Sequence, residues 1–463
     1  LGAGPAGLMA ALRLARAGRS VVVLERADHV GGMAGSFEVA GVRVDYGSHR
    51  LHPVVAPRLE AELRTLLGDD LQARTRRGRI ALDGRWLGFP LRLGDMARHA
   101  PKPFLARVAL ETATAPLRRP RHATAADVIA ARLGPTVANR FYTPYLTKLW
   151  GTSPHELSVE LADRRVSARS GIDVVKRALR ARNTEGRTFY YPRRGFGQIS
   201  EVLADAAVEA GADLRLGAEV AGLTLSEVGE SAAGSTVALA DGTSIDAGCV
   251  LSSVPVPLLA RLAEAPADVL EAASRLRHRA MVLAYLVLDT DRLSAFDAHY
   301  FPGLETPVSR LSEPKNFRDA PSVPGRGGDP DGVTVVCAEL ACWEGDETWT
   351  ATPDELAERV RTTLAPLGFE LPAVLGAEVR RIPKCYPVYA GAYAAALEVL
   401  ERWAGRHPRL LTFGRQGLFA PDNTHHALHM GWEAADSLRA DLTVDTDRWA
   451  VARAEFRSHV VED

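Results

Sequence analysis

The sequence predicts an α/β fold in which a Rossmann-like nucleotide-binding domain is combined with an inserted helical domain and an antiparallel-sheet domain. At the start of the chain, a glycine-rich turn precedes apolar residues at helical spacing from Leu8 to Ala17, and a buried strand follows at Val21–Leu24. The pattern is helical from Leu93 to Arg182, with prolines as punctuation. Long alternating stretches at Met281–Asp289 and Val333–Cys342 are typical of antiparallel strands.

These patterns predict that the nucleotide-binding domain is discontinuous. The expected domains are residues 1–88, 190–275 and 400–445 for nucleotide binding, 89–189 for the helical insertion, 276–399 for the antiparallel-sheet substrate domain, and 446–463 for a C-terminal tail.

The composition excludes several classes of function. The chain has 463 residues and a formal net charge of -1, so no global field attracts nucleic acid or an anionic membrane. No apolar run approaches the roughly 18 to 20 residues that span a bilayer. The four cysteines form no C-x-x-C motif and have no metal-ligand spacing with histidine, which indicates reduced thiols in a cytoplasmic protein without a metal centre.

The glycine-rich turn carries a dinucleotide-binding fingerprint. Gly2, Gly4 and Gly7 form G-x-G-x-x-G, which provides a tight turn, access for a pyrophosphate and close packing of helix on strand. Glu25 ends the next strand about 20 residues on, where an acid accepts the ribose hydroxyls. The strand that normally precedes the first glycine is not seen because the sequence begins at Leu1, so we expect further residues upstream.

A second glycine pair indicates which dinucleotide is bound. Gly31 and Gly32 lie a few residues beyond the acid, after Arg26 and before Met33. This arrangement resembles the extended fingerprint of FAD enzymes of the amine-oxidase and glutathione-reductase type, and simple NAD dehydrogenases do not usually carry it. We therefore expect FAD as the cofactor, with an ordinary turn between two strands as the neutral alternative.

Later segments are expected to complete the FAD site. A predicted hairpin leads into Gly47, Ser48 and His49, which we place beside the flavin. Val220 lies on a strand that returns to the nucleotide, where its backbone is expected to meet the adenine. The last strand runs into a glycine turn and a helix whose N-terminus faces the flavin. The residues expected at that end are Gly414, Arg415, Asp422 and Asn423.

An aromatic and basic cluster occurs within the helical insertion. Tyr145 and Trp150 lie in the stretch YLTKLWG, and Arg164 follows in the stretch DRR. Such a cluster is by default a packed helix end. It is also suited to stacking a nucleotide base and binding phosphates with arginine.

Six separated stretches together resemble UDP-galactopyranose mutase and its relatives in the protoporphyrinogen-oxidase and flavin amine-oxidase superfamily. Besides the fingerprint, they are YGSHRLH (46–52), YLTKLWG (145–151), RLSEPKNF (310–317), YPV (386–388) and GR (414–415). The resemblance implies that N5 of reduced FAD attacks the anomeric carbon of a nucleotide sugar, so that the sugar recloses with another ring size and no net redox occurs.

The resemblance also implies roles for individual residues. His52 would lie beside the flavin, and Gly414 and Arg415 would hold FAD. Tyr145 and Trp150 would bind the nucleoside. The residues implied at the sugar and the diphosphate are Arg310, Arg164 and Tyr386, with Arg310 reaching the substrate from a mobile region.

The chain departs from the mutases after the Gly-Arg pair. Pro421 stands where the mutases have a diphosphate-binding tyrosine, and the stretch that follows is Asp-Asn-Thr-His-His at 422–426. These differences fit a redox flavoenzyme, an oxidase or desaturase, that uses His425 or His426 as an acid–base group. Equally, both histidines could simply cap or pack the last helix.

The sequence is therefore consistent with three hypotheses for the function. The first is a mutase-like enzyme, with a nucleotide sugar as its substrate and an external electron donor to reduce the flavin. The second is the redox flavoenzyme, and the third is an FAD-binding scaffold without catalysis. The sequence leaves a homodimer open.

Overall fold

The computed structural model describes residues 1–91, 93–115, 123–165, 188–225, 234–320 and 328–461. Its helices, numbered in chain order, are α1 Pro5–Arg16, α2 Pro57–Leu67, α3 Leu93–His99, α4 Lys102–Ala113, α5 Ala125–Leu133, α6 Pro135–Val137, α7 Thr143–Trp150, α8 Val159–Arg165, α9 Gln198–Glu209, α10 Val256–Leu262, α11 Ala267–Arg275, α12 Glu347–Thr350, α13 Pro353–Leu364, α14 Tyr393–Ala404, α15 Gly414–Gly417, α16 Thr424–Asp436 and α17 Thr446–Phe456.

The strands complete an α/β architecture, as the sequence predicts. They are β1 Val22–Leu24, β2 Ser36–Val39, β3 Val42–Asp45, β4 Leu71–Thr75, β5 Gly78–Leu82, β6 Arg85–Phe89, β7 Thr188–Pro192, β8 Asp213–Arg215, β9 Val220–Thr224, β10 Ser235–Leu239, β11 Ser244–Ala247, β12 Val250–Ser252, β13 His278–Leu288, β14 Ala298–Tyr300, β15 Val308–Ser312, β16 Thr334–Cys342, β17 Val374–Pro387 and β18 Leu410–Thr412.

The nucleotide-binding region is built on short parallel strands. β1 pairs with β8, and β12 pairs with β18, both in parallel. The backbone of Leu1 and Gly2 lies between these pairs, because Gly2 N donates to Leu24 O at 2.8 Å and Ser253 N donates to Leu1 O at 3.0 Å. The first residues thus bridge the two crossover halves, with α1 directly after them.

Two helices beside these strands run in the same direction. Gly431 of α16 packs so closely on α1 that an added Cβ would lie 2.2 Å from Ala6 O. Further along both helices, Arg13 pairs with Asp436 at 2.5 Å. Residue numbers therefore increase in the same direction along both helices. The helices are parallel, and the N-termini of α1 and α16 lie on the same side of the domain.

A seven-stranded sheet forms the other half of the molecule, in the order β17-β13-β16-β15-β14-β5-β6. Its pairs are antiparallel except for β14 with β5, which is parallel. The long central strands β13 and β16 are almost wholly buried, in agreement with their apolar sequences. The hairpin β5–β6, which the sequence pattern places with the first domain, extends this sheet instead.

The predicted helical insertion is described in part, since residues 116–122 and 166–187 lie outside the described residues. Its helix α7 contacts the large sheet through polar groups. Lys148 Nζ donates to Val308 O at 2.9 Å and also to Phe301 O, and Trp150 Nε1 donates to Pro387 O at 3.1 Å. These bonds attach α7 to the strands that carry Arg310 and Tyr386.

The predicted C-terminal tail contains the regular helix α17. Its residues Ala452 and Phe456 are buried in a cluster with Leu418 and Met430, so the segment is packed against the nucleotide-binding region. Among the helices of the described residues, none combines the length and the apolar character that a membrane crossing requires.

We expect Gly431→Ala to lower the free energy of unfolding by about 1–3 kcal/mol, because its methyl group would overlap the backbone of α1. Urea denaturation would measure the change. The control is Gly94→Ala, also in a helix but with open space around its Cβ, which should raise stability by up to about 1 kcal/mol through helix propensity. Equal effects of both substitutions would contradict the close packing of α1 and α16.

Candidate active site

The glycine fingerprint forms a turn that leaves the N-terminus of α1 open to a ligand. Gly2 has a φ of +93°, which favours glycine, and a Cβ on Gly7 would lie 2.0 Å from Gly2 O. A Cβ on Gly4, the N-cap, would meet nothing within 4 Å. No side chain caps α1, and its first turn carries no acid. Its uncapped N-terminus and positive dipole end suit a pyrophosphate.

Glu25 lies at the carboxyl end of β1, as predicted. Its carboxylate accepts hydrogen bonds from Ala3 N at 2.8 Å and from Ala27 N at 2.9 Å, so it is held against the fingerprint turn. Its neighbour Arg26 is exposed. The start of β9 lies beside this acid, because Ala218 N donates to Glu25 O at 2.8 Å, and this contact brings the half-buried Val220 to the same edge.

The second glycine pair lies directly against the first. Gly31 N donates to Ala3 O at 2.8 Å, and a Cβ on Gly32 would lie 3.7 Å from Gly4 Cα. Both residues have positive φ, +107° for Gly31 and +52° for Gly32. The two glycine segments, separated in sequence, therefore form one cradle.

The Gly-Arg pair joins this cradle from the far end of the sequence. A Cβ on Gly414 would lie 3.0 Å from Ala6 Cβ, in the first turn of α1. The next residues reach toward the second glycine pair, where Gln416 Nε2 lies 3.7 Å from Met33 Sδ and donates to Lys384 O at 2.7 Å. Arg415 donates to Cys385 O at 2.6 Å. The residues present thus fit the diphosphate of a bound dinucleotide.

The loop after β3 is attached to the large sheet by a buried ion pair. Arg310 forms two hydrogen bonds with Glu339, Nε to Oε1 at 3.0 Å and Nη2 to Oε2 at 2.9 Å. Glu339 Oε1 also accepts from Ser48 N at 2.8 Å, and Arg310 Nη2 donates to Ser48 O at 3.2 Å. Gly47 has a φ of +89°, and a Cβ added to it would lie 3.4 Å from Glu339 Oε1.

Arg310 therefore lies in strand β15 with a fixed counter-ion, rather than in a separate loop that reaches to the substrate. The sequence analysis missed Glu339. It is the single acid in the otherwise uncharged strand TVVCAELAC, and a lone charge in a buried strand is a usable signal. His49, in the same loop, stacks on Phe196 with ring centroids 5.1 Å apart, and burial lowers its pKa.

The three predicted aromatic side chains, Tyr145, Trp150 and Tyr386, differ in how deeply they are buried. Trp150 is fully buried and packs against Tyr386, with centroids 5.5 Å apart. Tyr386 and Tyr145 are half-buried. Arg165 Cζ lies 5.0 Å from the Trp150 ring and 5.1 Å from the Tyr386 ring, so its guanidinium covers both. Arg165 belongs to the predicted basic stretch DRR, in which the family resemblance had assigned the diphosphate to its neighbour Arg164.

Arg164 has two acidic partners, the buried Asp422 and the exposed Glu160. Its Nη1 lies 3.3 Å from Asp422 Oδ1, and its Nε lies 3.0 Å from Glu160 Oε1. The structure thus joins two predicted residues, Arg164 and Asp422, in one ion pair. Asn423 follows as the N-cap of α16, and His426 accepts a hydrogen bond from its backbone N–H at 3.3 Å.

His52 and His425 are neutral imidazoles near each other. Burial, reinforced by Arg76, lowers the pKa of His52 to about 4. Burial also lowers the pKa of His425 to about 4, and the neighbouring His52 contributes to that shift. Neither ring nitrogen of His425 has a hydrogen-bond partner, although the side chain is buried. At neutral pH both rings are therefore uncharged, and each has a nitrogen lone pair that can accept a hydrogen bond.

The fold and the glycine cradle define a class, the dinucleotide-binding flavoproteins. The family model for flavin containing amine oxidoreductases matches residues 5–438. The chain therefore belongs to the flavin-containing amine oxidoreductase family, and this membership implies a flavin cofactor.

Comparison with known proteins supports the same fold. The crystal structure of reduced UDP-galactopyranose mutase superposes with a TM-score of 0.79 at 20% identity, covering 100% of this chain and 98% of that chain. A protein from Exiguobacterium sp. 255-15 described as a protoporphyrinogen oxidase gives 0.71 at 15% identity, covering 94% and 97%. Putrescine oxidase from Kocuria rosea is 51% identical over 53 residues, which is 11% of either chain.

We expect Glu339→Gln to destabilise the protein by about 3–5 kcal/mol, because it leaves the buried Arg310 guanidinium without its counter-charge. The same substitution should weaken flavin binding, since Ser48 loses a charged acceptor. Urea denaturation and flavin titration would measure both. The control is Glu358→Gln, in which Glu358 belongs to an exposed ion pair with Arg361. This substitution should change neither the unfolding free energy nor the affinity for flavin. An unchanged unfolding curve for Glu339→Gln would refute the importance of this pair.

We expect the free energy of unfolding to fall as the pH drops from about 6.5 to about 4. Since the pKa of His425 is lowered from 6.5 to about 4, in this interval the unfolded chain binds a proton that the folded chain does not. The slope should be about 1.4 kcal/mol per pH unit for this group. His425→Leu should flatten the slope in urea denaturation between pH 4.5 and 7, whereas the exposed His155→Leu is the matched control. A slope unaffected by His425→Leu would exclude this account.

Proposed function

We propose that this flavoprotein acts on a nucleotide-linked sugar, in the manner of the mutases that it resembles. The observation that carries the proposal is the position of the Arg165 guanidinium over the rings of Trp150 and Tyr386. A nucleoside diphosphate combines an aromatic base with a charged diphosphate, so a site of aromatic rings and arginine is suited to both parts. Reduced flavin in the glycine cradle would supply a nucleophilic N5 for the anomeric carbon. Because the sugar is rearranged without net oxidation, an external donor would be needed only to reduce the flavin.

In this proposal the protein groups bind and orient an anionic substrate. The Arg165 and Arg415 guanidinium groups lie 5.1 and 5.5 Å from the Tyr386 ring, so the positive charges converge at this tyrosine. Burial raises the pKa of Tyr386 to about 12, which keeps its hydroxyl protonated and able to donate to a phosphate oxygen. Such a set of cations disfavours an ammonium substrate, as a diamine would present.

Trp150 has a supporting role in this proposal. Its ring is covered and its indole N–H is used by Pro387 O, so it fixes the positions of Tyr386 and Arg165 rather than stacking a base. The half-buried Tyr145, five residues before Trp150 in α7, is the better candidate for the base. Arg164, tied to Asp422, positions the start of α16 and does not face the diphosphate in this scheme.

The second candidate function is a redox flavoenzyme, an oxidase or desaturase. Two observations favour it: the uncharged imidazoles of His52 and His425, and Pro421 in place of the mutase tyrosine. A base that takes a proton from the substrate while a hydride leaves to the flavin needs a neutral imidazole of this kind. It predicts that a substrate bleaches the oxidised flavin and that oxygen or another acceptor restores the colour.

One titration separates these functions. Oxidised and dithionite-reduced protein is titrated with UDP, GDP and dTDP sugars while the flavin absorbance is followed. The mutase-like proposal expects binding, tighter in the reduced state, without consumption of an oxidant. The absence of nucleotide binding in both states would refute it.

We expect Arg165→Ala to weaken the binding of UDP by roughly ten-fold or more, since a charge-assisted hydrogen bond contributes about 1.5–3 kcal/mol. Arg165→Lys should recover only part of the loss, because an ammonium group cannot form the planar fork. The flavin content of both variants should equal that of the wild type. Arg361→Ala, which removes an exposed arginine far along the sequence, is the control. UDP binding that survives in Arg165→Ala would contradict the assignment.

A further inference from the structure

The short segment after α17 turns back to the start of α16. His459 Nδ1 lies 2.8 Å from Asp422 Oδ2, and Val461 N donates to Arg164 O at 2.7 Å. Phe456, at the end of α17, is buried and contacts the His459 ring, with centroids 5.4 Å apart. Residues 459–461 are therefore anchored on both sides.

The partner of His459 is a wholly buried carboxylate. The Asp422 side chain has no exposed surface, and its other oxygen pairs with Arg164 Nη1. The Arg164 guanidinium thus neutralises the carboxylate, and the guanidinium and the His459 imidazole orient it from two directions. Since Asp422 directly precedes the N-cap Asn423, this arrangement fixes the first residues of α16.

A stack of imidazoles continues from His459 to the proposed catalytic histidine. The rings of His459 and His426 are nearly parallel, with an interplanar angle of 11° and centroids 4.0 Å apart. His426 in turn contacts His425, again with centroids 4.0 Å apart. Among the described residues, none forms a hydrogen bond with the His425 ring, so this packing determines where the ring points.

The start of α16 lies on the flavin side of the molecule. The N-termini of α1 and α16 face the same way, as the contacts of Gly431 with Ala6 and of Arg13 with Asp436 require. His425 also neighbours His52, in the loop that follows the predicted flavin contacts 47–49. A displacement of α16's first turn would therefore change the surroundings of the flavin.

The same side chains do not form a good metal centre. The ligand atoms of Asp422, His426 and His459 lie within 4.8 Å of one another. However, two stacked, parallel imidazoles direct their in-plane lone pairs along parallel planes, whereas a shared metal needs lone pairs that converge. The carboxylate is also already paired with Arg164. The geometry suits a carboxylate–imidazole hydrogen bond.

We propose that His459 is a positioning residue of the flavin site. Its hydrogen bond holds Asp422, and its ring packs against His426. Through these two contacts, the segment 457–461 sets the position of His425. This role depends on flavin binding, which the family implies, and not on the identity of the substrate.

Two substitutions at position 459 separate the hydrogen bond from the ring. His459→Asn places an amide nitrogen near the position of Nδ1 and keeps the bond to Asp422, whereas His459→Phe keeps the stacked ring and loses the donor. His155→Phe makes the same substitution at an exposed histidine and is the control. The measurements are the Kd of FAD for the apoprotein, the midpoint potential of the flavin and its absorption spectrum.

For His459→Phe we expect the Kd of FAD to rise by roughly ten-fold to a hundred-fold, as for loss of a hydrogen bond to a buried charge, with a shifted potential and spectrum. His459→Asn keeps the bond to Asp422 but loses the ring stacked on His426, so its rise should be smaller than that of His459→Phe. His155→Phe should match the wild type. Adding His459→Phe to Asp422→Asn should change little beyond Asp422→Asn alone, because the charged acceptor of His459 is already lost in that single variant.

Three results would overturn the proposal. One is a His459→Phe protein with the wild-type Kd, potential and spectrum. Another is an equal loss in both position-459 variants that follows their unfolding, which is what a purely structural role produces. The third is a stoichiometric bound metal that disappears in His459→Phe. Nucleotide-sugar titration of the same variants tests the proposed function separately, so the two failures can be distinguished.

Discussion

The carboxylate of Glu339 connects the two halves of this protein, and the rest of the candidate site depends on that connection. It binds Arg310 of the large sheet through two hydrogen bonds and Ser48 of the nucleotide-binding region through a third. Buried charges are costly unless they are paired and hydrogen-bonded, so this group determines how the sheet sits against the flavin loop. The loop predicted to lie beside the flavin is consequently bonded directly to the large sheet.

On the nucleotide side of this boundary, the constraint is steric. Gly2, Gly7, Gly31 and Gly414 come from three separated segments, and each would place a Cβ within about 3 Å of a neighbour. Close approach of these backbones leaves the N-terminus of α1 as the open position in the cradle. The close packing of α16 on α1 then aligns a second helix N-terminus with the first.

On the substrate side, charge is the dominant property. Arg165 and Arg415 both lie over Tyr386, in a region where Trp150 and the polar bonds of α7 hold the rings in place. The C-terminal segment contributes a further layer, in which His459 and Arg164 share the buried Asp422. The proposed chemistry thus relies on pairs of residues whose partners lie far apart in the chain.

Features that depend on local backbone geometry could be predicted from the amino-acid sequence alone. Positive φ at Gly2 and Gly31, the strand that ends at Glu25 and the apolar strands β13 and β16 all follow from residue type and spacing, and these features were enough to predict the α/β fold and the flavin family. The family resemblance added Arg310 and Tyr386 as candidates without showing their partners.

The contacts between distant side chains emerge from the packing of the folded chain. Glu339 with Arg310, Arg165 over Tyr386 and His459 with Asp422 join residues from different elements, and no local pattern encodes such pairs. Trp150 could be read from its motif as a stacking platform, but its position in the fold makes it a core residue. The physical reason is that burial and charge pairing are properties of the packed chain, whereas backbone conformation is set by neighbouring residues.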